Sequence, residues 1–148
     1  MQVNLKRATI GDISTLVEIE KKLIDYKIYS AMTDEAEWQE EFKKGNAAVY
    51  LILNNDTVVG NASFERNVNE SAHISGLAIM PEFQKMGIGR RVLEMILEEL
   101  KEVKTITLAT HPENIAALKL YKSFGFVEKE KIENYFGDGE PRVILKKE

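Results

Sequence analysis

The stretch Leu77-Ala78-Ile79-Met80-Pro81-Glu82-Phe83-Gln84-Lys85-Met86-Gly87-Ile88-Gly89-Arg90 decides the fold. Apolar residues halted by Pro81 end a strand. Beyond two glycines spaced one residue apart, Val92, Leu93, Ile96, Leu97, Leu100 and Val103 recur at helical spacing. Such a junction leaves the first N–H groups of the helix without partners, with the positive end of its dipole behind them. Glycine lets a phosphate approach the backbone, and Lys85, Arg90 and Arg91 add charge, so the junction suits a pyrophosphate. Two common phosphate motifs do not fit. The dinucleotide pattern needs a glycine where Val92 stands, and the Walker pattern needs Gly-Lys-Ser/Thr. On these residues alone, Gly87 and Gly89 serve equally well as a tight turn into a helix.

Working outward, Ala47–Leu53, Thr57–Arg66 and Ser71–Met80 read as three strands joined by the polar turns Asn54-Asn55-Asp56 and Asn67-Val68-Asn69-Glu70, an antiparallel meander. Ahead of them the alternating Val3–Arg7 predicts a first strand. A helix follows, with Thr9 or Asp12 as cap and Ile13, Leu16, Val17, Leu23 and Ile24 on its buried side. A second helix starts at Asp34, with Glu37 completing a capping box, and carries Trp38 and Phe42 among acidic residues. Downstream come a strand at Thr105–Thr110, a helix at Glu113–Phe124 ended by Gly125, and a strand at Phe126–Phe136. Gly137-Asp138-Gly139 then turns the chain into a last strand at Arg142–Lys146. Alternation of strand and helix in this half predicts parallel pairing there. The whole is one α/β (mixed α+β) domain over residues 1–148, of about seven strands and about four helices.

The 148 residues suit a single core, and 44% hydrophobic with 30% charged residues excludes a disordered chain. No apolar run reaches the roughly 20 residues of a membrane helix, and the first residues lack the apolar stretch of a secretory signal. The absence of cysteine removes disulfides, thiol catalysis and zinc–thiolate sites; no metal is expected, and a cytoplasmic location is. A net charge of −4 disfavours nucleic acid as partner and is compatible with a cationic amine.

A second constellation lies at Asn114…Ala117…Tyr121, followed by Gly125-Phe126. Offsets of three and seven put the first three on one helix face, where a small residue between an amide and a phenol leaves a groove for an extended ligand. Equally, Asn114 can cap the helix while Tyr121 packs in the core. The two constellations together, Gln84-x-x-Gly87-x-Gly89 after Leu77-Ala78-Ile79 and then Asn114…Tyr121…Gly125-Phe126, closely resemble the GNAT superfamily of N-acetyltransferases. The ending Asn134-Tyr135-Phe136-Gly137-Asp138-Gly139 is similar to the closing hairpin of its ribosomal-protein and protein N-terminal branch.

The resemblance implies an enzyme that moves acetyl from acetyl-CoA to an amine. Leu77, Ala78 and Ile79 would pair with the pantetheine arm, and a bulge there would aim an N–H, that of Ile79, at the thioester oxygen. Gln84, Lys85, Met86, Gly87, Ile88, Gly89 and Arg90 would hold the pyrophosphate. Asn114 and Ala117 would flank the arm, and Tyr121 would protonate the departing thiolate. A possible homodimer is a further family expectation. Where the ribosomal-protein branch has a glutamate base this chain has Ala109, which leaves Glu65, His73, His111, Glu113 or a water as base. Asp25, Tyr26, Tyr29, Glu37, Trp38 and Tyr135 are candidates for an acidic, aromatic acceptor pocket, and equally for a solvated acidic helix with core aromatics. Peptide N-termini, polyamines, amino-sugars and lysine side chains all remain open as acceptors. A non-catalytic acyl-CoA-binding module and a purely structural protein are the rival classes.

Overall fold

A computed structural model describes all residues 1–148. In chain order it contains β1 (Val3–Arg7), α1 (Ile13–Lys21), α2 (Glu35–Lys43), β2 (Ala47–Asn54), β3 (Thr57–Asn67) and β4 (Ser71–Ile79). Then follow α3 (Ile88–Glu99), β5 (Thr105–Thr110), α4 (Ile115–Ser123), β6 (Val127–Ile132) and β7 (Arg142–Lys147). The seven strands form one mixed sheet in the order β1-β2-β3-β4-β5-β7-β6. Only β4 and β5 pair in parallel, joined by the crossover helix α3; every other neighbouring pair is antiparallel. Of the parallel pairing expected along the strand–helix–strand–helix–strand stretch, β4–β5 forms and β5–β6 does not. β6 does run in the direction of β5, but β7 inserts between them.

Strand alternation gives the sheet two apolar faces. On β2, Ala48 and Ile52 join α3, Tyr121 and Phe126 in the larger core, while Val49 and Leu51 meet α1, α2 and Trp38 in a smaller one. Helices α3 and α4 thus cover one face, α1 and α2 the other. Of the two proposed caps, Thr9 precedes a short 3-10 turn, its N–H donating to Asp12 Oδ2 at 2.9 Å, and Asp12 stands at the start of α1 without a side-chain bond to that helix. Leu23 is buried as expected, but Ile24 lies exposed, because α1 stops at Lys21 and the chain leaves helical periodicity. β6 is shorter than the expected Phe126–Phe136: it ends at Ile132, and Asn134 takes a left-handed conformation at φ 51° that begins the turn. No helix is long and apolar enough to cross a membrane.

Candidate active site

A single irregularity in β4 organises the site. In the β3–β4 register Ser63 faces Gly76 and Phe64 faces Ile74, so Ser75 is an extra residue, a β-bulge. Up to Ile74, β4 pairs with β5; beyond it the strands part, and Ala109 and Thr110 pair only with β7. Met80 N–H donates to Val59 O at 2.9 Å, which fixes the alternation beyond the bulge. Counting back in twos, Ala78 and Gly76 present their backbone groups to β3, while the N–H and C=O of Leu77 and Ile79 face the unpaired gap. The bulge falls at Ser75 and not within Leu77–Ile79. The extra residue also reverses side-chain parity: Ala72 and Ile74 point into the larger core before it, Leu77 and Ile79 after it. For that reason His73 and Leu77 do not share a face, although four residues separate them. His73 instead bonds Thr107 Oγ1 at 2.8 Å, and burial lowers its pKa.

The gap opens into a cavity of about 380 Å³. On the α3/α4 side its wall includes Asn114, Ala117 and Tyr121; on the other it includes Glu20, Glu37, Trp38, Glu41, Asn61 and Ser63. One cavity therefore passes through the sheet between its two helical layers.

Tyr121 is fixed by the way α4 ends. Phe126 N–H donates to Tyr121 O at 3.2 Å and Gly125 N–H to Lys122 O at 3.0 Å, a Schellman closure in which Gly125 takes φ +94°. The closure brings the Phe126 ring edge-on to Tyr121, centroids 5.8 Å apart. Burial alone pushes the phenol pKa up to about 12. Tyr121 is thus both a core side chain and a cavity-lining one. Asn114 likewise does two things: its Oδ1 accepts from Ala117 N–H at 3.2 Å, capping α4, while its side chain lines the cavity.

At the start of α3, Gly87 takes φ +83°, a conformation costly for any residue with a Cβ, and Lys85 precedes it at φ 64°. The first helical bond is Arg91 N–H to Gly87 O at 3.2 Å, so the N–H groups of Ile88, Gly89 and Arg90 have no partner within the helix. Gln84 Nε2 donates to Ile79 O at 2.8 Å and to Tyr29 Oη at 3.1 Å, tying this loop to the edge of β4. Arg90 reaches Ser123 Oγ at 3.2 Å and lies over Phe124. Of the fourteen-residue junction, Leu77 and Ala78 line the cavity, whereas Ile79 and Gln84 to Arg90 lie beyond its wall.

None of the four base candidates lines the cavity. Glu65 is paired with Lys44 at 2.9 Å. Glu113 pairs with Lys27 at 2.9 Å, which lowers its pKa. His111 accepts Glu113 N–H on Nδ1 at 3.0 Å, so its proton sits on Nε2, which donates to Glu140 at 2.7 Å. That buried ring clamps the β6–β7 connection to the end of β5. Of the acceptor-pocket candidates, Tyr29, Glu37 and Trp38 line the cavity; Asp25, Tyr26 and Tyr135 do not. The sequence reading missed Glu20, which is buried on the cavity wall. Its signal was present: Ile13, Leu16, Val17 and Glu20 make one helical stripe, and a carboxylate on an apolar stripe marks a buried polar site.

Known proteins resemble this chain in sequence and fold. An N-alpha-acetyltransferase of Sulfolobus acidocaldarius is 23% identical over 150 residues, spanning 95% of this chain and 89% of the relative. A [ribosomal protein bS18]-alanine N-acetyltransferase of Salmonella typhimurium is 33% identical over 104 residues, 67% of this chain and 70% of its own. The crystal structure of the PaiA N-acetyltransferase of Thermoplasma acidophilum in complex with coenzyme A superposes with a TM-score of 0.79 at 18% identity, covering 100% of this chain and 99% of that one. Residues 16–126 match the Acetyltransferase (GNAT) family, and the chain belongs to that family of N-acetyltransferases.

Proposed function

We propose that the chain transfers acetyl from acetyl-CoA to the α-amine of a peptide or protein N-terminus. The observation that carries this reading is the parting of β4 and β5 beyond Ile74, which leaves an unpaired strand edge beside the free N-terminus of α3. An extended amide-bearing arm can hydrogen-bond that edge as a strand would, and a diphosphate suits the free N–H groups of Ile88, Gly89 and Arg90. The relatives from Sulfolobus acidocaldarius and Salmonella typhimurium, named for acting on α-amines and on a ribosomal-protein alanine, support the acceptor class.

In this reading the chain needs no acyl-enzyme. Cysteine is absent, so a direct attack on the thioester is the simplest route. The donor for the developing oxyanion moves from Ile79 to Leu77, because Leu77 shares the cavity wall with Tyr121 and Ile79 does not. Tyr121, protonated at every physiological pH, gives its proton to the leaving thiolate. The test is release of free CoA thiol from acetyl-CoA across short peptides, spermidine and an aminoglycoside. Turnover confined to peptides supports the α-amine reading, and preferred turnover of spermidine replaces it. Coenzyme binding without turnover of any amine leaves a binding module.

A further inference from the structure

We propose that Glu20, oriented by Asn61, receives the acceptor's ammonium group and removes its proton; the inference rests on the transferase reading above. Glu20 is 7% exposed and stands on the α1/α2 side of the cavity, opposite the side lined by Asn114 and Tyr121. Its two oxygens each hold one donor: Oε1 accepts Met32 N–H at 3.0 Å, and Oε2 accepts Asn61 Nδ2 at 2.9 Å. A carboxylate offers about four acceptor positions, so each oxygen can take one more donor. Asn61 is 3% exposed and also lines the cavity. Its Nδ2 donates one hydrogen to Glu20, and its Oδ1 accepts no hydrogen bond within the chain. Nearby, Glu41 Oε2 is buried on the same wall with no partner.

Buried acceptors normally find donors. On the α1/α2 side the unengaged oxygens of Glu20, Asn61 and Glu41 are acceptors, and a guest that satisfies them is a group of donors without lone pairs: an ammonium. Charge agrees. The lining carries Glu20, Glu37 and Glu41 against one cation, Arg142 from β7. That guanidinium is already engaged by Asp138 at 3.0 Å and by Pro141 O at 3.0 Å, and it lies against the Phe136 ring. Burial raises the pKa of Glu20, opposed by the bonds from Met32 and Asn61, which draws the carboxylate towards the range of a working base. Ala109, on β5, offers no base.

The proton balance closes. One ammonium proton passes to Glu20, freeing the nitrogen lone pair. The C–N bond forms and the C–S bond breaks; the thiolate takes the Tyr121 proton, and the phenoxide recovers one from the acylated nitrogen. Products are the amide, the free thiol and a proton on Glu20, which water removes.

The experiment compares wild type with Glu20→Gln, using acetyl-CoA and whichever acceptor the wild type turns over best. Glu20→Gln should lower kcat/KM for the acceptor about 100-fold or more while leaving coenzyme affinity by calorimetry unchanged. The deficit should shrink as pH rises and the amine loses its proton unaided. The other titratable groups facing Glu20, namely Glu37 and Glu41 of α2, Tyr29, Arg142 and Tyr121, are common to both proteins. Equal kcat/KM at every pH overturns the proposal and leaves the transferase reading intact. Parallel loss of coenzyme affinity also overturns it, reducing Glu20 to a clamp on Met32. A wild type that binds coenzyme yet acetylates no amine removes both readings. If Glu20→Gln does not fold, Asn61→Leu decides. Acceptor KM should rise about 10-fold with coenzyme KM held, a loss of the size expected for one buried hydrogen bond to a charge. An unchanged acceptor KM overturns the proposal.

Discussion

At Tyr121 the ring and the hydroxyl do different things, and one substitution separates them. The ring packs on Phe126 and the larger core, while burial without a compensating hydrogen bond holds the hydroxyl's pKa at about 12. Tyr121→Phe keeps the packing and deletes a buried polar group, so Tm should stay level or rise slightly while kcat falls about 10-fold or more. A drop in Tm with kcat unchanged would assign Tyr121 to the core alone. The raised pKa also has a sign. The native state holds this proton more tightly than the unfolded chain, so its contribution to stability is complete below the ordinary phenol value of 10.0 and is lost as pH climbs through about 12. Loss of the acid should therefore put no alkaline limb in the kcat profile before pH 10.0 is passed. Spacing alone made Tyr121 and Asn114 legible, because both fall on one helix face. Glu20 was harder to find. Beside Glu18 and Lys21 it looks like one more solvated charge, until the apolar stripe it interrupts is counted.

Among the elements, β4 borders the proposed coenzyme site, and its neighbour β3 shapes it. A Cβ on Gly60 would sit 2.1 Å from Ala78 O, a backbone atom that cannot yield without moving β4. Gly60→Ala should therefore cost about 1–3 kcal/mol, the usual scale of overpacking, and shift the strand edge that faces the gap. Urea unfolding would measure the first effect and coenzyme KM the second; an unchanged midpoint would show that β4 gives way freely. The strand itself was visible in the sequence, from the apolar run before Pro81. Its bulge was not. Ser75 looks like any strand residue, and an added residue becomes evident only once the partner strand is in register. That one residue is why His73 turns to the opposite face from Leu77 and bonds Thr107.

For the whole molecule, two helical layers and a parted sheet open one cavity to both faces, and the proposed reaction brings coenzyme and acceptor in from opposite sides. Coenzyme binding to the native state alone should stabilise it by about 2.7 kcal/mol at a concentration of 100 Kd. For a chain of this size that is a rise of about 5–11 °C in Tm. No shift with acetyl-CoA would argue against the cradle at α3. Local pattern revealed the element types, but sheet order depends on long-range pairing, and nothing in Arg142–Lys147 announces that it lies between β5 and β6.

That insertion shapes how the molecule must assemble. The strand that comes last in the chain is an inner one, so β5 and β6 each wait with a bare edge until residues 142–147 slot between them. The β2–β4 meander pairs strands that follow one another through short turns and is free to form early, since nearby contacts cost less loop entropy. Refolding followed by pulsed deuterium labelling should show amides of β2 and β3 shielded first, with those of the β5–β7 ladder, which spans α4 and β6, shielded later. The keystone of this arch is set after both of its sides are standing.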